Sequence, residues 1–392
     1  MTDTAKDKLL WVVVNTCRLL VSITFVFSGV VKLVDPVGMQ YKIEDYLAAF
    51  GIVCSPEAVW PLLLAVALPL LEFLLGIYLF FGIRRRLASW TVFGFMLLYT
   101  PLTLWLALTN GVADCGCFGD AIHLTNWQTF WKNVALLVMT FIIWWKGRHM
   151  TRFISEGTQW IISLYSLFYG LFIAGLCLYS EPVIDFRPYH IGQHIPSAME
   201  WPDDPNATPE ILDFNFFVEG EPEVDAQTVL ADTSYTFLLI SPHIELADDG
   251  DMDLINDAHE YARRLGYRFL ALTASDDEAI RRWQDLTGAD YPFAFMDELE
   301  LKTIARSNPA LILLHDGSIV AKWPSHAIPT EELQEAPLYT LSLAHPELDS
   351  YRSSLLRLLL WYLLPLLALT FIDRFVFSLK WWRRKHQTAK ND

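Results

Sequence analysis

Residues 59–81 read VWPLLLAVALPLLEFLLGIYLFF, an apolar run interrupted by a single charged side chain, Glu72. Its length is close to the ~20 residues that a helix needs to cross hydrocarbon. Working outward, four similar runs follow or precede it: Leu9 to Val31, Leu87 to Leu108, Trp127 to Trp145 and Trp160 to Tyr179. A sixth, Leu355 to about Phe377, has Arg357, Asp373 and Arg374 at its ends and so a shorter clean stretch. The expectation is a polytopic α-helical membrane protein with six transmembrane helices. Composition agrees, because 53% hydrophobic content with 15 Trp and 25 Phe is more than a soluble core needs.

The formal charge of −16 conceals a segregation. Residues 181–354 hold 33 acids and 10 bases, leaving 12 acids and 19 bases elsewhere. Bases cluster at Lys6 and Lys8, at Arg84, Arg85 and Arg86, at Lys146, Arg148 and Arg152, and at Lys380, Arg383, Arg384 and Lys385. Six spans bring all four clusters to one side, which the positive-inside rule makes cytoplasmic. The expected place is therefore a bacterial-type cytoplasmic (inner) membrane, with both termini in the cytoplasm and residues 181–354 in the periplasm. The partners expected are the lipid bilayer and an exported protein, and an acidic exterior excludes nucleic acid. Lys6 and Lys8 also suit a signal peptide, but the run after them is long and ends at Lys32 and Asp35 without a small-residue cleavage pattern. Asn206-Ala207-Thr208 fits a glycosylation sequon, a triplet common by chance.

The first four spans are joined by short links and are expected to form an antiparallel four-helix bundle, residues 1–150, followed by a fifth helix within 151–180. Arg18 and Glu72 are its informative residues, since charge at mid-bilayer pairs, faces inward and often marks function. Counted from the outer ends of their spans, both lie about 20 Å deep at ~1.5 Å per residue, which predicts an intramembrane salt bridge between them. Two roles stay open for it, fixing helix register or taking part in proton or quinone chemistry. In the first outer loop, Asp35 and Pro36 read as N-cap and first helical residue of a short helix on the outer leaflet, in which Met39, Ile43, Tyr46, Leu47 and Phe50 recur at helical spacing. Lys32, just before it, is expected to snorkel to the headgroups.

The second outer loop, Ala113-Asp114-Cys115-Gly116-Cys117-Phe118-Gly119-Asp120 with His123 beyond, carries the strongest chemical signal. Two cysteines in a Gly-rich turn on an oxidising face are candidates for a disulfide or a thiol-exchange site. A bond between residues two apart closes a small ring, which suits exchange better than stapling. Cys54, in the other outer loop, is the candidate resolving thiol or disulfide partner; Cys177 is a weaker candidate and Cys17 reads as helix packing. Metal binding by Cys115, Cys117 and His123 matches no strong zinc spacing. Lys132 and Asn133 could neutralise Asp114 or Asp120 or lower a thiol pKa.

Arg18, Ser28-Gly29, Lys32-Leu33 and Asp35-Pro36, with Glu72 and the Cys115-Gly116-Cys117-Phe118-Gly119 loop before Trp127 and Phe130, resemble the DoxX/MauE group of four-helix membrane proteins over about residues 9–147. The cysteine loop points to the MauE-like branch. The resemblance implies respiratory-chain-linked electron transfer, or disulfide formation during maturation of an exported partner. Quinone is then the candidate electron acceptor, and no other cofactor is implied.

Beyond Asp213 the pattern turns globular. Tyr235 to Ser241 reads as a buried strand, Met252 to Leu265 as an amphipathic helix, and Tyr267 to Thr273 as a second strand. Ser275 with Glu278 reads as the cap of a helix that ends at Gly288. Tyr291 to Phe295 is a short strand, Asp297 opens a helix through Arg306, and Ala310 to Leu314 pairs with Ile319 to Trp323 through an Asp316-Gly317 hairpin. Asp185-Phe186-Arg187-Pro188-Tyr189 reads as a rigid link, and the acids at 248, 249, 251 and 253 as a solvated loop and cap.

This order resembles the thioredoxin-like fold, particularly its peroxiredoxin and TlpA branches, over about residues 210–345. The resemblance makes Pro309 the cis-proline and puts the redox Cys-x-x-Cys where Ser241-Pro242-His243-Ile244 stands. Residues 178–392 contain no cysteine, so this domain cannot do dithiol chemistry alone. Binding of an extended peptide by Ser241, Pro242, His243 and the backbone beside Pro309 is what the resemblance leaves. Residues 355–392 complete the chain as a sixth helix and basic tail. Two functions are expected: a membrane thiol-disulfide or quinone-linked oxidoreductase using Cys115 and Cys117, or a non-enzymatic scaffold that anchors a peptide-binding domain.

Overall fold

The computed structural model describes residues 3–55, 58–112, 115–203, 208–218, 224–345 and 348–391. Asp114 and the sequon residues Asn206 and Ala207 lie outside them. The chain opens with helices α1 (Asp3–Val34), α2 (Pro36–Ala49), α3 (Trp60–Phe81), α4 (Arg85–Thr109), α5 (Asn126–Lys146) and α6 (Gln159–Tyr179). Six strands follow: β1 (Phe216–Val218), β2 (Tyr235–Ser241), β3 (Arg268–Thr273), β4 (Phe293–Met296), β5 (Ala310–His315) and β6 (Ser318–Pro324). The longer helices among them are α7 (Met252–Leu265), α8 (Asp277–Thr287) and α9 (Glu298–Ile304), and the chain closes with α10 (Leu348–Asn391). Two compact units result, Met1–Leu178 with Leu356–Asp392, and Tyr179–Leu355.

In the first unit, five segments among the described residues are long and apolar enough to cross a membrane: Lys6–Val34, Trp60–Phe81, Arg85–Thr109, Gln159–Tyr179 and Ser353–Leu379. The chain is a multi-pass membrane protein. The expected count of six also needs α5, which is as long as α6 but carries Asn126, Gln128, Lys132 and Asn133 in its first two turns. A capping box starts α5: the Gln128 N–H donates to Thr125 Oγ1 at 3.3 Å while the Thr125 N–H donates to Gln128 Oε1 at 3.0 Å. Asp35 caps α2 as its sequence predicts, accepting from the Gly38 N–H at 2.9 Å.

Helices α1 and α3 form the centre of this unit. One side of the pair packs with α4 and α5 through Val21, Phe25, Leu79, Val92, Met96 and Leu136. The other packs with α6 and α10 through Phe73, Ile77, Ile162, Ala174, Tyr362 and Leu366. Small residues let the central backbones approach: a Cβ on Gly29 would stand 2.6 Å from the Phe73 nitrogen, and one on Gly76 2.8 Å from the Val26 nitrogen. The Ser22 hydroxyl donates to the Gly76 carbonyl at 2.6 Å across the same seam. Past the middle of α10, Asp373 accepts from the Ser155 N–H at 2.9 Å and from Thr158 Oγ1 at 2.6 Å, and Arg374 donates to the Phe153 carbonyl. Two of the charges that shorten the apolar run of this helix, Asp373 and Arg374, therefore tie it to the segment before α6.

The second unit is a mixed α/β domain with sheet order β1-β4-β3-β2-β5-β6. Strands β2, β3 and β4 are parallel, while β1, β5 and β6 join antiparallel to their neighbours. Every residue of β2 is buried, because its alternate side chains enter cores on opposite faces of the sheet, Leu238 and Ile240 on one and Phe237 and Leu239 on the other. The β5–β6 hairpin turns on Asp316 and Gly317, both at positive φ. Helix α8 departs from its expected start: Asp276, not Ser275, is the cap and accepts from the Ala279 N–H at 2.9 Å. Helix α9 stops at Ile304, short of Arg306.

Residues 181–187 do more than link. Arg187 is buried and donates to Asp185 at 2.6 Å and Glu181 at 3.0 Å, and Lys322 Nζ lies 3.1 Å from Asp185. Glu181 also accepts from the N–H groups of Arg306 and Ser307 at 3.0 and 2.9 Å. Burial alone would raise both carboxyls, but Lys322 and Arg187 hold Asp185 far below the usual carboxylate range, and Arg187 and Lys322 lower Glu181. Burial pushes the Lys322 amine down to about 8 against the opposing pull of Asp185.

Candidate functional site

The loop between α4 and α5 folds back over the first unit. Cys115 and Cys117 are joined as a disulfide with their Cα atoms 5.4 Å apart. Gly116 between them has φ +62°, and a Cβ there would press on Lys42 of α2 at 3.1 Å, so both the turn and its neighbour require glycine. Two hydroxyls fix the carbonyls of the pair. Tyr46 of α2 donates to the Cys115 carbonyl at 3.2 Å, and Ser28 of α1 lies 2.8 Å from the Cys117 carbonyl. Ser28 Oγ is also 2.9 Å from Glu72 Oε2, and its single proton serves one of these acceptors at a time.

Beneath the loop lies a cavity of about 260 Å³ enclosed by α1, α2, α3, α4, α5 and residues 115–118. Its wall is largely apolar, with Phe25, Ile43, Leu47, Leu68, Met96 and Leu136. Its polar members include Ser28, Lys32, Tyr46, Glu72, Tyr99, Lys132 and Asn133. Lys32 Nζ and Glu72 Oε2 are 2.7 Å apart, with 7% and 5% of their side chains exposed. Lys132 carries its ammonium 4.2 Å from the centroid of Phe118, which in turn packs on Phe27 with ring centroids 5.4 Å apart. Asn133 donates to Thr103 Oγ1 at 3.3 Å and so belongs to the α4–α5 contact. One carboxylate and two amines thus face an apolar chamber that reaches the disulfide.

Several expected partnerships are corrected. Arg18 does not pair with Glu72: it is buried at the middle of α1, where it donates to the Thr151 carbonyl and lies 4.6 Å over the Phe153 ring. The cause is register. Equal depth from the outer ends would put Gly29 opposite Pro61, whereas the close approach puts it opposite Phe73 and so brings Glu72 level with residues 28 to 32. Arg18 is 14 residues from Lys32 along α1, about 21 Å at ~1.5 Å per residue. Lys32 therefore does not snorkel; it turns inward to Glu72. Cys54 is a free, half-buried thiol and is not among the residues lining the cavity. Cys17 and Cys177 are likewise outside any disulfide. His123 lies beside the disulfide, but no group of His, Cys, Asp and Glu among the described residues could hold a metal ion.

In the second unit Ser241 Oγ donates to Asn308 Oδ1 at 2.6 Å, and Asn308 Nδ2 donates to the His243 carbonyl at 2.8 Å. Because Ile240 pairs with Ala310, Ser241, Pro242, His243 and Pro309 share one end of the sheet, and the Asn308–Pro309 peptide bond there is cis. The His243 ring is flanked by Glu298 at 2.9 Å and Glu245 at 3.4 Å. Hydrogen bonding from Lys302, with His243 adding to it, keeps Glu298 below the usual carboxylate range. Ser275, not needed as a cap, accepts from the Ile244 N–H at 2.9 Å and donates to Glu245 at 2.6 Å.

Residues 7–146 match the family model described as Methylamine utilisation protein MauE. The matched segment contains α2 to α5 and most of α1, and with them the cavity, the Lys32–Glu72 pair and the disulfide loop. No curated protein and no solved structure matches the chain.

Proposed function

We propose that the chain is a membrane thiol-disulfide oxidoreductase in which Cys115 and Cys117 exchange electrons with an exported protein. The observation that carries the reading is the seat of the disulfide: its two carbonyls are tied by Tyr46 and Ser28, and it closes a chamber holding the buried Lys32–Glu72 pair. A partner thiolate attacks one sulfur and the Cys115–Cys117 bond breaks, releasing the other cysteine as a thiolate that takes up a proton. The partner's second thiolate then attacks the mixed disulfide, so the partner leaves oxidised and the pair is left as two thiols. Reoxidation passes two electrons and two protons to a quinone, whose ring suits an apolar chamber with ammonium donors at Lys32 and Lys132.

In the same reading the second unit is a periplasmic, thioredoxin-like domain without redox cysteines, and Ser241, Pro242, His243 and Pro309 form its partner-binding surface. The sheet order supports that assignment. The four basic clusters support cytoplasmic termini. The alternative, a scaffold whose disulfide is only structural, differs in one measurement: the redox state of Cys54, Cys115 and Cys117 in native membranes, read by differential alkylation across thiol/disulfide buffers. A reversible Cys115–Cys117 couple well above the roughly −300 mV of inert structural disulfides is expected. Thiols locked in one state throughout would leave the scaffold.

A further inference from the structure

At the other end of the first unit, the start of α4 and the end of α5 enclose a second cavity of about 560 Å³. Arg85, Arg86 and Arg148 line it together with Trp90, Trp144 and Trp145, and no carboxylate is on its wall. Arg85 is held in place by its bond to the Met150 carbonyl at 2.6 Å, while Arg86 and Arg148 are exposed. Glu156, the carboxylate that acts on Arg85, is itself paired with Arg152. Three guanidiniums around one hollow repel each other unless an anion sits between them, and their planar forks match phosphate oxygens.

The aromatic wall distinguishes a lipid phosphate from a free one. Trp144 packs edge-on to Trp90 at 4.9 Å and stacks on Phe93 at 5.3 Å, and Phe141 lies 5.6 Å from it. These four rings form a ridge that runs from the arginines toward the middle of α4 and α5. Trp90 and Trp145 are well exposed, as residues at a membrane interface are. We infer that this cavity binds an anionic phospholipid, with its phosphate held by Arg85, Arg86 and Arg148 and an acyl chain lying along the ridge. Basic pockets between membrane helices recognise acidic headgroups in this way. The site is independent of the disulfide and tethers the α4–α5 pair at the end remote from the loop.

The test is native mass spectrometry of the full chain in detergent, with phosphatidylglycerol, with phosphatidylcholine of the same acyl chains, and with inorganic phosphate as competitor. Arg86→Ala/Arg148→Ala is the variant, since both side chains are exposed and the anchored Arg85 is left intact. Phosphatidylglycerol adducts are expected to survive activation that strips phosphatidylcholine, to fall several-fold in the variant, and to persist in phosphate. Arg86→Lys/Arg148→Lys should retain part of the preference. Equal retention of the two lipids, or an unchanged adduct in the alanine variant, would overturn the inference. Loss of the adduct to inorganic phosphate would also overturn it, assigning the arginines to a free anion.

Discussion

Lys32 and Glu72 meet at 2.7 Å across the α1–α3 seam, one turn from the point where Gly29 lets the two backbones touch. In apolar surroundings neither charge is stable without the other, so the pair and the close approach reinforce each other. Lys32→Met leaves Glu72 buried with only the neutral hydroxyls of Ser28 and Tyr99 beside it, and a loss of about 3–5 kcal/mol is expected. Lys32→Met/Glu72→Leu, which removes both charges, should recover most of it. Thermal unfolding in detergent checks this, and a single variant as stable as the double one would show that the pair is not buried as described.

The close approach itself can be tested with two glycines of different surroundings. Gly29→Ala puts a methyl group 2.6 to 2.8 Å from the Phe73 backbone, where nothing can yield without separating α1 from α3. Gly94→Ala in α4 meets nothing within 4 Å and should gain up to about 1 kcal/mol from helix propensity. The expected melting shifts have opposite signs, and equal shifts would contradict the α1–α3 geometry.

These residues also show what the sequence could tell. Buried strand β2, helix α7, the Asp35 cap and the Asp316-Gly317 turn follow from local pattern and stand in the structure near where they are expected. Depth in the bundle is not a local property: apolar ends alone do not define it, because Gly29, Gly76 and Ser22 set the register by contact between helices. Hence Glu72 was legible as an inward charge, but its partner Lys32 looked like an interfacial lysine. Tyr46 had a place in the predicted helix α2, and only the fold of the loop shows its bond to Cys115. Strand β1, three residues with Phe217 outward, is too short for periodicity to reveal.

The loop over the cavity rests on two hydroxyls, and removing them should loosen it selectively. A hydrogen bond of this kind contributes about 0.5–1.5 kcal/mol net. Tyr46→Phe and Ser28→Ala should therefore each speed amide exchange in residues 115–119 by roughly two- to tenfold, with α4 and α5 unchanged. Hydrogen exchange read by mass spectrometry decides it. Unaltered loop exchange in the double variant would mean that the disulfide alone holds the turn.

Acid should weaken the second unit through Asp185 and Glu181. Both are held below their ordinary values, burial opposing and Arg187 with Lys322 prevailing, so the folded state keeps them ionised after the unfolded chain has begun to take up protons. Their contribution is complete only well above the ordinary carboxyl values near pH 4, where the unfolded carboxyls are fully ionised too, and is lost progressively as pH falls through and below them. Lys322, near 8, stays protonated throughout this window. Half-buried Glu300, raised by desolvation, works in the opposite direction, so the decisive comparison is with Asp185→Asn. That variant should lose about 3–5 kcal/mol at pH 7, because Arg187 and Lys322 then share one carboxylate, and should lose less on acidification than the parent. Calorimetry of the full-length chain at pH 7 and near pH 3.5 reads both effects. Parallel acid losses in parent and variant would show that the network is not the source of the pH dependence.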